Sequence, residues 1–327
     1  MLLYVDVIDA CHLKCPTCVR GVRAFPNTAK KMSISLFRQI VEKAKRDGAF
    51  RVDLFSWTEP FLCQNLDEYL ATIKECDLPC GVSSTLSLRN IRCFEAALRH
   101  MDELTISMSG FDQDIYGINH KGGNVEWVKA NLERLSALKA AGSTCVDATI
   151  RMLMFDYNRE EEPRLREYAA KLGLRFEVLL ASGHPVSRPE QHDNEKYVLD
   201  RLKHFSVERP YEERGKVCPL IFEHVVVDAD GDVYQCSAYG NYAVLKIGAY
   251  LDLTREEVLL RRYMQPVCNS CSWRRRTATE QEKLLLEQAL RQRMGQEITD
   301  RVPQMSVPST HTHAWTAEGY LIPKHDR

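Results

Sequence analysis

Between residues 2 and 180 the chain carries six apolar, β-branched runs, each parted from the next by a stretch that carries helical signals, and this alternation constrains the fold more than any other feature. Leu2–Ile8 (LLYVDVI), Arg51–Trp57 (RVDLFSW), Cys80–Ser84, Glu103–Ser109 (ELTISMS), Val146–Phe155 and Arg175–Leu180 read as strands. The first long helix is expected from Met32 to about Asp47, with Leu36, Ile40, Val41 and Ala44 at helical spacing and Gly48 as its stop. Others follow from about Asn65 to Cys76, across Ile91–His100, from Gly123-Asn124 to near Gly142, and over Pro163–Leu172. Units in this order build a parallel sheet with right-handed crossovers. Six are too few for the eight-stranded closed barrel, so the expected fold class is α/β, a splayed partial (βα)6 barrel. Chemistry in such folds sits at the C-terminal ends of the strands.

Seven of the 12 cysteines form two groups. Cys11, Cys15 and Cys18 lie on the loop after the first strand, where that rule wants a site. Cys218, Cys236, Cys268 and Cys271 form the second group. Twelve cysteines in 327 residues fall well below the density of a disulfide scaffold, and an aspartate interrupts the opening apolar run where a signal peptide would continue. Reduced thiols at such spacing mean metal rather than cross-links. Three thiolates can hold three corners of a cubic iron–sulfur cluster and leave one iron open, whereas four can close a cluster. Structural zinc on the second group is the alternative; zinc suits the first trio poorly, because its fourth ligand must come from elsewhere. Lysine plus arginine is 44 against 45 acidic residues, which leaves no electrostatic footprint for nucleic acid. No apolar run approaches the ~20 residues a membrane span needs. A soluble, cytoplasmic protein is expected.

Cys11-x3-Cys15-x2-Cys18 after the first strand of a (βα)6 chain resembles the radical S-adenosylmethionine (SAM) superfamily. The resemblance implies a 4Fe–4S cluster whose open iron binds the amino and carboxylate groups of SAM. It further implies reductive cleavage to a 5′-deoxyadenosyl radical that abstracts hydrogen from substrate, with a flavodoxin- or ferredoxin-like electron donor. Trp57-Thr58-Glu59-Pro60 stands where the family usually has Gly-Gly-Glu-Pro, so Glu59 is implied to contact the methionine amino group. Plain capping of a strand–helix turn competes for it. Ser107 and Ser109 match ribose-binding positions, although two serines ending a strand can also cap a turn. Arg151 is placed to grip the methionine carboxylate, or to pair with Asp147 or Glu177 on the barrel wall. The aromatic that the family carries before the third cysteine is Thr17 here.

In the second group, two β-rich runs flank Asp230-Gly231 as a hairpin between Cys218 and Cys236. Asp228, Asp230 and Asp232 suggest calcium, but Gly231 comes too early and no glutamate closes a calcium loop, so turn chemistry is the better account. Gly231-x4-Cys236, with Cys218 before it and Cys268-x2-Cys271 after it, resembles the twitch domain, a shortened form of the SPASM domain. The resemblance implies a second 4Fe–4S cluster held by all four thiolates. The expected organisation is a radical SAM barrel over 1–185, a linker over 186–217, a twitch-like auxiliary domain over 218–272, and a C-terminal helix and tail over 273–327. His311-Thr312-His313 and Arg274-Arg275-Arg276 read as solvated surface.

The cysteine spacing resembles that of dehydrogenases of the deoxy-scyllo-inosamine type, which oxidise a ring alcohol. The function expected is oxidation of a carbohydrate or cyclitol alcohol in a small polar substrate, the auxiliary cluster accepting the second electron. One alternative is epimerisation, with Cys63 on the loop after strand two as hydrogen donor; another is modification of a peptide substrate. Many peptide modifiers carry an N-terminal recognition domain, and strand one here begins at residue 2, which counts against the peptide reading. A non-catalytic iron–sulfur or zinc-binding protein is the alternative outside enzymes. Cys76, Cys80, Cys93 and Cys145 read as small buried hydrophobes. The loop 111–124 offers Tyr116, His120 and Lys121 to the substrate side.

Overall fold

The computed structural model describes residues 1–22, 28–180, 218, 220–237, 241, 245–263, 279–294, 313–315 and 321–323. Cys268, Cys271, the expected linker 186–217, Arg274–Arg276, His311 and Thr312 lie outside the described residues.

All six expected strands form: β1 (Leu2–Val5), β2 (Arg51–Asp53), β3 (Cys80–Ser84), β4 (Glu103–Ser107), β5 (Asp147–Met154) and β6 (Arg175–Leu180). They pair in parallel and in chain order. The helices form where the capping signals stand. A short turn, α1 (Val19–Val22), closes the cysteine loop. In α2 (Ile34–Arg46) the Ser33 hydroxyl accepts from the Leu36 amide at 3.1 Å, Phe37, Ile40, Val41 and Ala44 face the core, and Gly48 takes φ +85° just beyond the end. The remaining barrel helices are α3 (Leu66–Glu75), α4 (Phe94–Leu98), α5 (Gln113–Asn119), α6 (Val125–Ala140) and α7 (Glu162–Lys171). Asn124 caps α6 as expected, accepting from the Trp127 amide at 3.1 Å. Helix α5 occupies what reads in sequence as loop, because seven residues are too few to show a helical period.

The sheet is two-faced. Leu3, Val5, Val52, Leu54, Val82, Leu104, Ile106, Ile150 and Met152 are buried in the core with Phe37, Ile40, Ile73, Phe94, Leu132 and Leu165 of the helices. Alternation turns Tyr4, Asp53, Ser83, Thr105, Ser107, Arg151 and Glu177 the other way. A parallel sheet covered by helices on both faces would be apolar on both. Here the second face is polar, and it lines the inside of the open barrel. Low on that face, Arg51 bonds Asp53 at 2.6 Å and both oxygens of Glu103 at 2.7 and 2.8 Å. It passes over Gly81 to do so: a Cβ there would lie 2.3 Å from the guanidinium.

The sheet does not end at β1. Helix α8 (Leu220–Glu223) leads into β7 (His224–Val227), which pairs in parallel with β1. β8 (Asp232–Tyr234) and β9 (Lys246–Ala249) follow antiparallel, giving the order β6-β5-β4-β3-β2-β1-β7-β8-β9. The hairpin turn is stabilised as turn chemistry requires. The Asp228 carboxylate accepts from the amides of Asp230 and Asp232, and Gly231 takes φ +85°. Helix α9 (Arg255–Tyr263) packs against β9, and α10 (Glu280–Met294) packs on α9. A separate pair, β10 (His313–Trp315) and β11 (Leu321–Pro323), is antiparallel. Among the described residues no helix is long and apolar enough to cross a membrane.

Candidate active site

Cys11, Cys15 and Cys18 sit at the C-terminal mouth of the barrel, half-buried and unbridged. The Cys18 amide donates to the Cys15 carbonyl at 3.1 Å, folding the last two thiols into a turn. Gly21 presses on that turn so closely that a Cβ would fall 2.2 Å from the Cys15 carbonyl oxygen. Three elements hold the loop. The Glu59 amide, after β2, donates to the Ala10 carbonyl at 2.9 Å, and the Lys14 amide donates to the Lys121 carbonyl, after α5, at 2.8 Å. At the position where an aromatic was expected, the Thr17 hydroxyl donates to Asn119 Oδ1 at 2.6 Å. Asp9 anchors the loop base, accepting from Arg20 at 2.6 Å and from Thr28 at 2.7 Å.

Asp6 ties this loop to the next strand. It is buried, and accepts from the Ser56 amide at 2.8 Å, the Trp57 amide at 3.2 Å and the Thr58 hydroxyl at 2.7 Å. Burial pushes its carboxyl upward, opposed by the Thr58 hydroxyl and the Arg20 charge. These bonds show how Trp57-Thr58 can stand where two glycines were expected: neither residue has a positive φ, and Asp6 holds the Trp57 amide and the Thr58 hydroxyl.

Glu59 is 2 % exposed and its carboxylate is occupied by protein donors. Oε1 accepts from the Phe61 amide at 3.3 Å and the Ser84 hydroxyl at 2.6 Å, and Oε2 from the Thr85 amide and hydroxyl at 3.0 and 3.1 Å. It caps the short 3-10 turn Pro60–Leu62 while fastening the end of β3, which is the turn-capping role. Ser109 is likewise engaged within the protein. Its hydroxyl accepts from the Leu153 amide at 3.1 Å and lies 3.1 Å from His120 Nε2, and its carbonyl accepts from Asn158 at 2.7 Å. Ser107 faces the barrel interior, half-buried, in register with Arg151. Arg151 is ion-paired with Glu177 on β6, and Asp147 is taken by Arg175 at 2.8 Å. Cys63 lies fully buried in the core as the cap of the 3-10 turn, its thiol donating to Asn65 Oδ1 at 3.4 Å. An enclosed thiol of this kind is poorly placed to donate hydrogen to a substrate in the barrel.

Asp6, Asn119 and Asn158 are the residues that sequence reading missed as parts of the site. Asp6 left a signal, a lone carboxylate inside an apolar strand. Asn119 and Asn158 left none, since the bond that ties each to the site reaches a partner about 50 or more residues away. His120 is enclosed, stacked on Tyr116 with centroids 4.5 Å apart, and burial lowers its pKa to about 4.

The donor set fits an iron–sulfur cubane. Burial pushes all three thiols upward, Cys11 to about 12 with help from the Glu59 charge and Cys15 with help from the other two thiols, so neutral thiols are favoured until a cation draws off their protons. Both ring nitrogens of His12, beside Cys11, are enclosed without a protein partner, as expected of a wall meant to meet a bound group. In the auxiliary region, Cys218 and Cys236 are both buried.

An open parallel sheet with three unbridged thiols on the loop after its first strand is the arrangement of a partial-barrel protein built to carry a cluster at the mouth of the barrel. The profile of the Radical SAM superfamily matches residues 5–169, and the chain belongs to that superfamily, whose members bind SAM and a 4Fe–4S cluster. Among curated proteins it resembles a probable GTP 3′,8-cyclase of Methanococcus maripaludis, 24% identical over 177 residues that make up 54% of this chain and 57% of that protein. The chain thus spans about half the length of this relative. Among solved structures it shares its fold with Streptococcus suis SuiB bound to the precursor peptide SuiA, at TM-score 0.58 and 15% identity, covering 82% of this chain and 66% of that one. It shares it also with anSMEcpe bound to AdoMet, at TM-score 0.55 and 14% identity, covering 92% of this chain and 99% of that one.

Proposed function

We propose that the chain is a radical SAM oxidoreductase that oxidises an alcohol of a small, polar, carbohydrate- or cyclitol-like substrate, with one auxiliary cluster as acceptor of the second electron. The observation that carries the reading is the polar inner face of the barrel, where Tyr4, Ser83, Thr105, Ser107 and the paired Arg151 and Glu177 offer hydrogen bonds of both senses and balanced charge. Such a wall suits a neutral or zwitterionic, hydroxyl-rich molecule better than an apolar one. In this reading residues 1–185 are the radical SAM barrel and 218–272 the auxiliary unit, with Cys11, Cys15 and Cys18 on the catalytic cluster and Cys218, Cys236, Cys268 and Cys271 on the second.

Bound cluster and SAM supply a hydrogen-abstracting radical, and the protein does the positioning. Asn119 and Lys121 hold the cysteine loop, Asp6 fastens the turn after β2 beside it, Ser107 is the open candidate for the ribose, and Arg151 reaches the methionine carboxylate only by leaving Glu177. Glu59 acts through the turn it caps. A flavodoxin- or ferredoxin-like protein is the proposed reductant.

Peptide modification is the second reading, supported by the peptide in the SuiB structure that shares this fold. The decisive experiment is anaerobic reconstitution, with SAM, dithionite and candidate cyclitols, aminocyclitols and peptides, scored by 5′-deoxyadenosine and product mass in ordinary and heavy water. A carbonyl product two mass units below substrate is expected. Unchanged mass in water with one deuterium gained in heavy water identifies an epimerase. SAM that binds but is never cleaved identifies a non-catalytic protein.

A further inference from the structure

Arg262, on the last turn of α9, is 1 % exposed and is the largest fully buried side chain among the described residues. Its guanidinium donates to four backbone carbonyls drawn from both cysteine-bearing stretches. Nε donates to Gln235 O at 2.5 Å, Nη1 to Ile221 O at 3.0 Å and to His224 O, and Nη2 to Leu220 O at 2.9 Å. Gln235, itself buried, returns a bond from Nε2 to the Arg262 carbonyl at 2.7 Å.

The positions of these carbonyls give the arginine its significance. Leu220 and Ile221 open the helical turn that follows Cys218, and the Ile221 amide donates to the Cys218 carbonyl at 3.2 Å. Gln235 immediately precedes Cys236. One planar fork therefore sets the separation of the backbone at two buried thiols, a task for which five fixed donors suit arginine and a lysine ammonium cannot substitute. The same fork brings a permanent positive charge into the buried region against the backbone that flanks them. A four-thiolate cubane is anionic and gains a further negative charge on reduction, so a nearby buried cation favours the reduced state.

We propose that Arg262 is a positioning residue for the auxiliary cluster, fixing the approach of Cys218 and Cys236 and raising the reduction potential of the cluster they hold. This rests on the auxiliary-cluster reading of those cysteines. An electron acceptor in a dehydrogenation must be reducible by the substrate radical, and a cation clamped at its ligand backbone serves that requirement.

The test uses the full chain carrying Cys11→Ala, Cys15→Ala and Cys18→Ala, so that only the auxiliary site binds iron. Reconstituted parent, Arg262→Lys and Arg262→Gln are compared for iron per chain, midpoint potential, electron paramagnetic resonance of the reduced cluster, and melting of the iron-free protein. Arg262→Gln is expected to lose at least half of the bound iron and to lower the potential of what remains. Arg262→Lys, which keeps the charge without the fork, is expected to recover the potential more than the iron. Iron and potential equal to the parent in Arg262→Gln would overturn the proposal while leaving the auxiliary cluster intact. If Arg262→Gln does not fold, Arg262→Lys decides, and parental iron, potential and spectrum in it overturn the proposal equally. A parent that binds zinc or no metal removes the auxiliary-cluster reading itself, and the proposal with it.

Discussion

At the scale of single residues, the inner ring of this site is built from side chains whose polar atoms are mostly used up by other protein groups. His120 shows how enclosure translates into behaviour. With its pKa near 4 in the fold against about 6.5 unfolded, the unfolded chain binds a proton that the native imidazole does not, so stability falls as pH drops through that window. Between pH 7.5 and 5 the expected loss from this group is about 2 kcal/mol. Asp228, raised by burial to about 6, acts in the opposite sense, gaining stability over part of the same range. The measurement is therefore a difference: urea denaturation of wild type and His120→Phe at both pH values, with the variant losing less. Equal losses would contradict the assignment. A second residue-scale prediction concerns Thr17. Thr17→Val removes the bond to Asn119 and should lower iron retention at the first cluster under chelator challenge several-fold, whereas Thr17→Ser, which keeps the hydroxyl, should not.

Individual strands owe their positions to one another through the barrel floor as well as through the ladder. Arg51 on β2 reaches β4 by crossing β3 where glycine leaves room, so one guanidinium ties β2 to β4 over the strand between them. Gly81→Val should force the arginine off Glu103 and destabilise the fold by about 1–3 kcal/mol, measured by urea denaturation. In an Arg51→Met background the same substitution should cost less, because the tightest part of its clash is with that side chain, the Asp53 carboxylate at 2.8 Å supplying the rest. An unchanged cost in both backgrounds would place the strain elsewhere. The loop after β4 shows a similar economy: the turn of chain that carries Asn119 and Lys121 clasps the cysteine loop from the far side of the barrel mouth.

For the whole molecule, the decisive prediction is metal content. Two filled sites correspond to about eight irons and eight sulfides per chain, and replacing Cys11, Cys15 and Cys18 with alanine should leave about four. Cys236→Ala should instead keep the first cluster, still cleave some SAM, and stop product formation. Stoichiometric zinc with a single cubane in the intact protein would remove the electron-acceptor role. β7, which lies between Cys218 and Cys236 in the chain, pairs directly with β1, the strand that ends in the first cysteine loop, so both cysteine groups stand on one sheet.

Much of this was legible without coordinates, because the informative patterns are local. Alternating apolar residues and capping signals located every barrel strand and the long helices, and the trio's spacing with its place after β1 located the mouth of the site. Which polar groups remain open to a ligand was decided only by tertiary structure. Glu59, Ser109 and Arg151 meet partners 25 or more positions away, and nothing in the spacing of a chain records such a meeting. The same holds for Asp6 beneath the loop and for the four carbonyls around Arg262. The physical reason is that a buried hydrogen bond is settled by which segments the core brings together, whereas a helix, a strand or a cysteine triplet is settled by neighbours within a few residues.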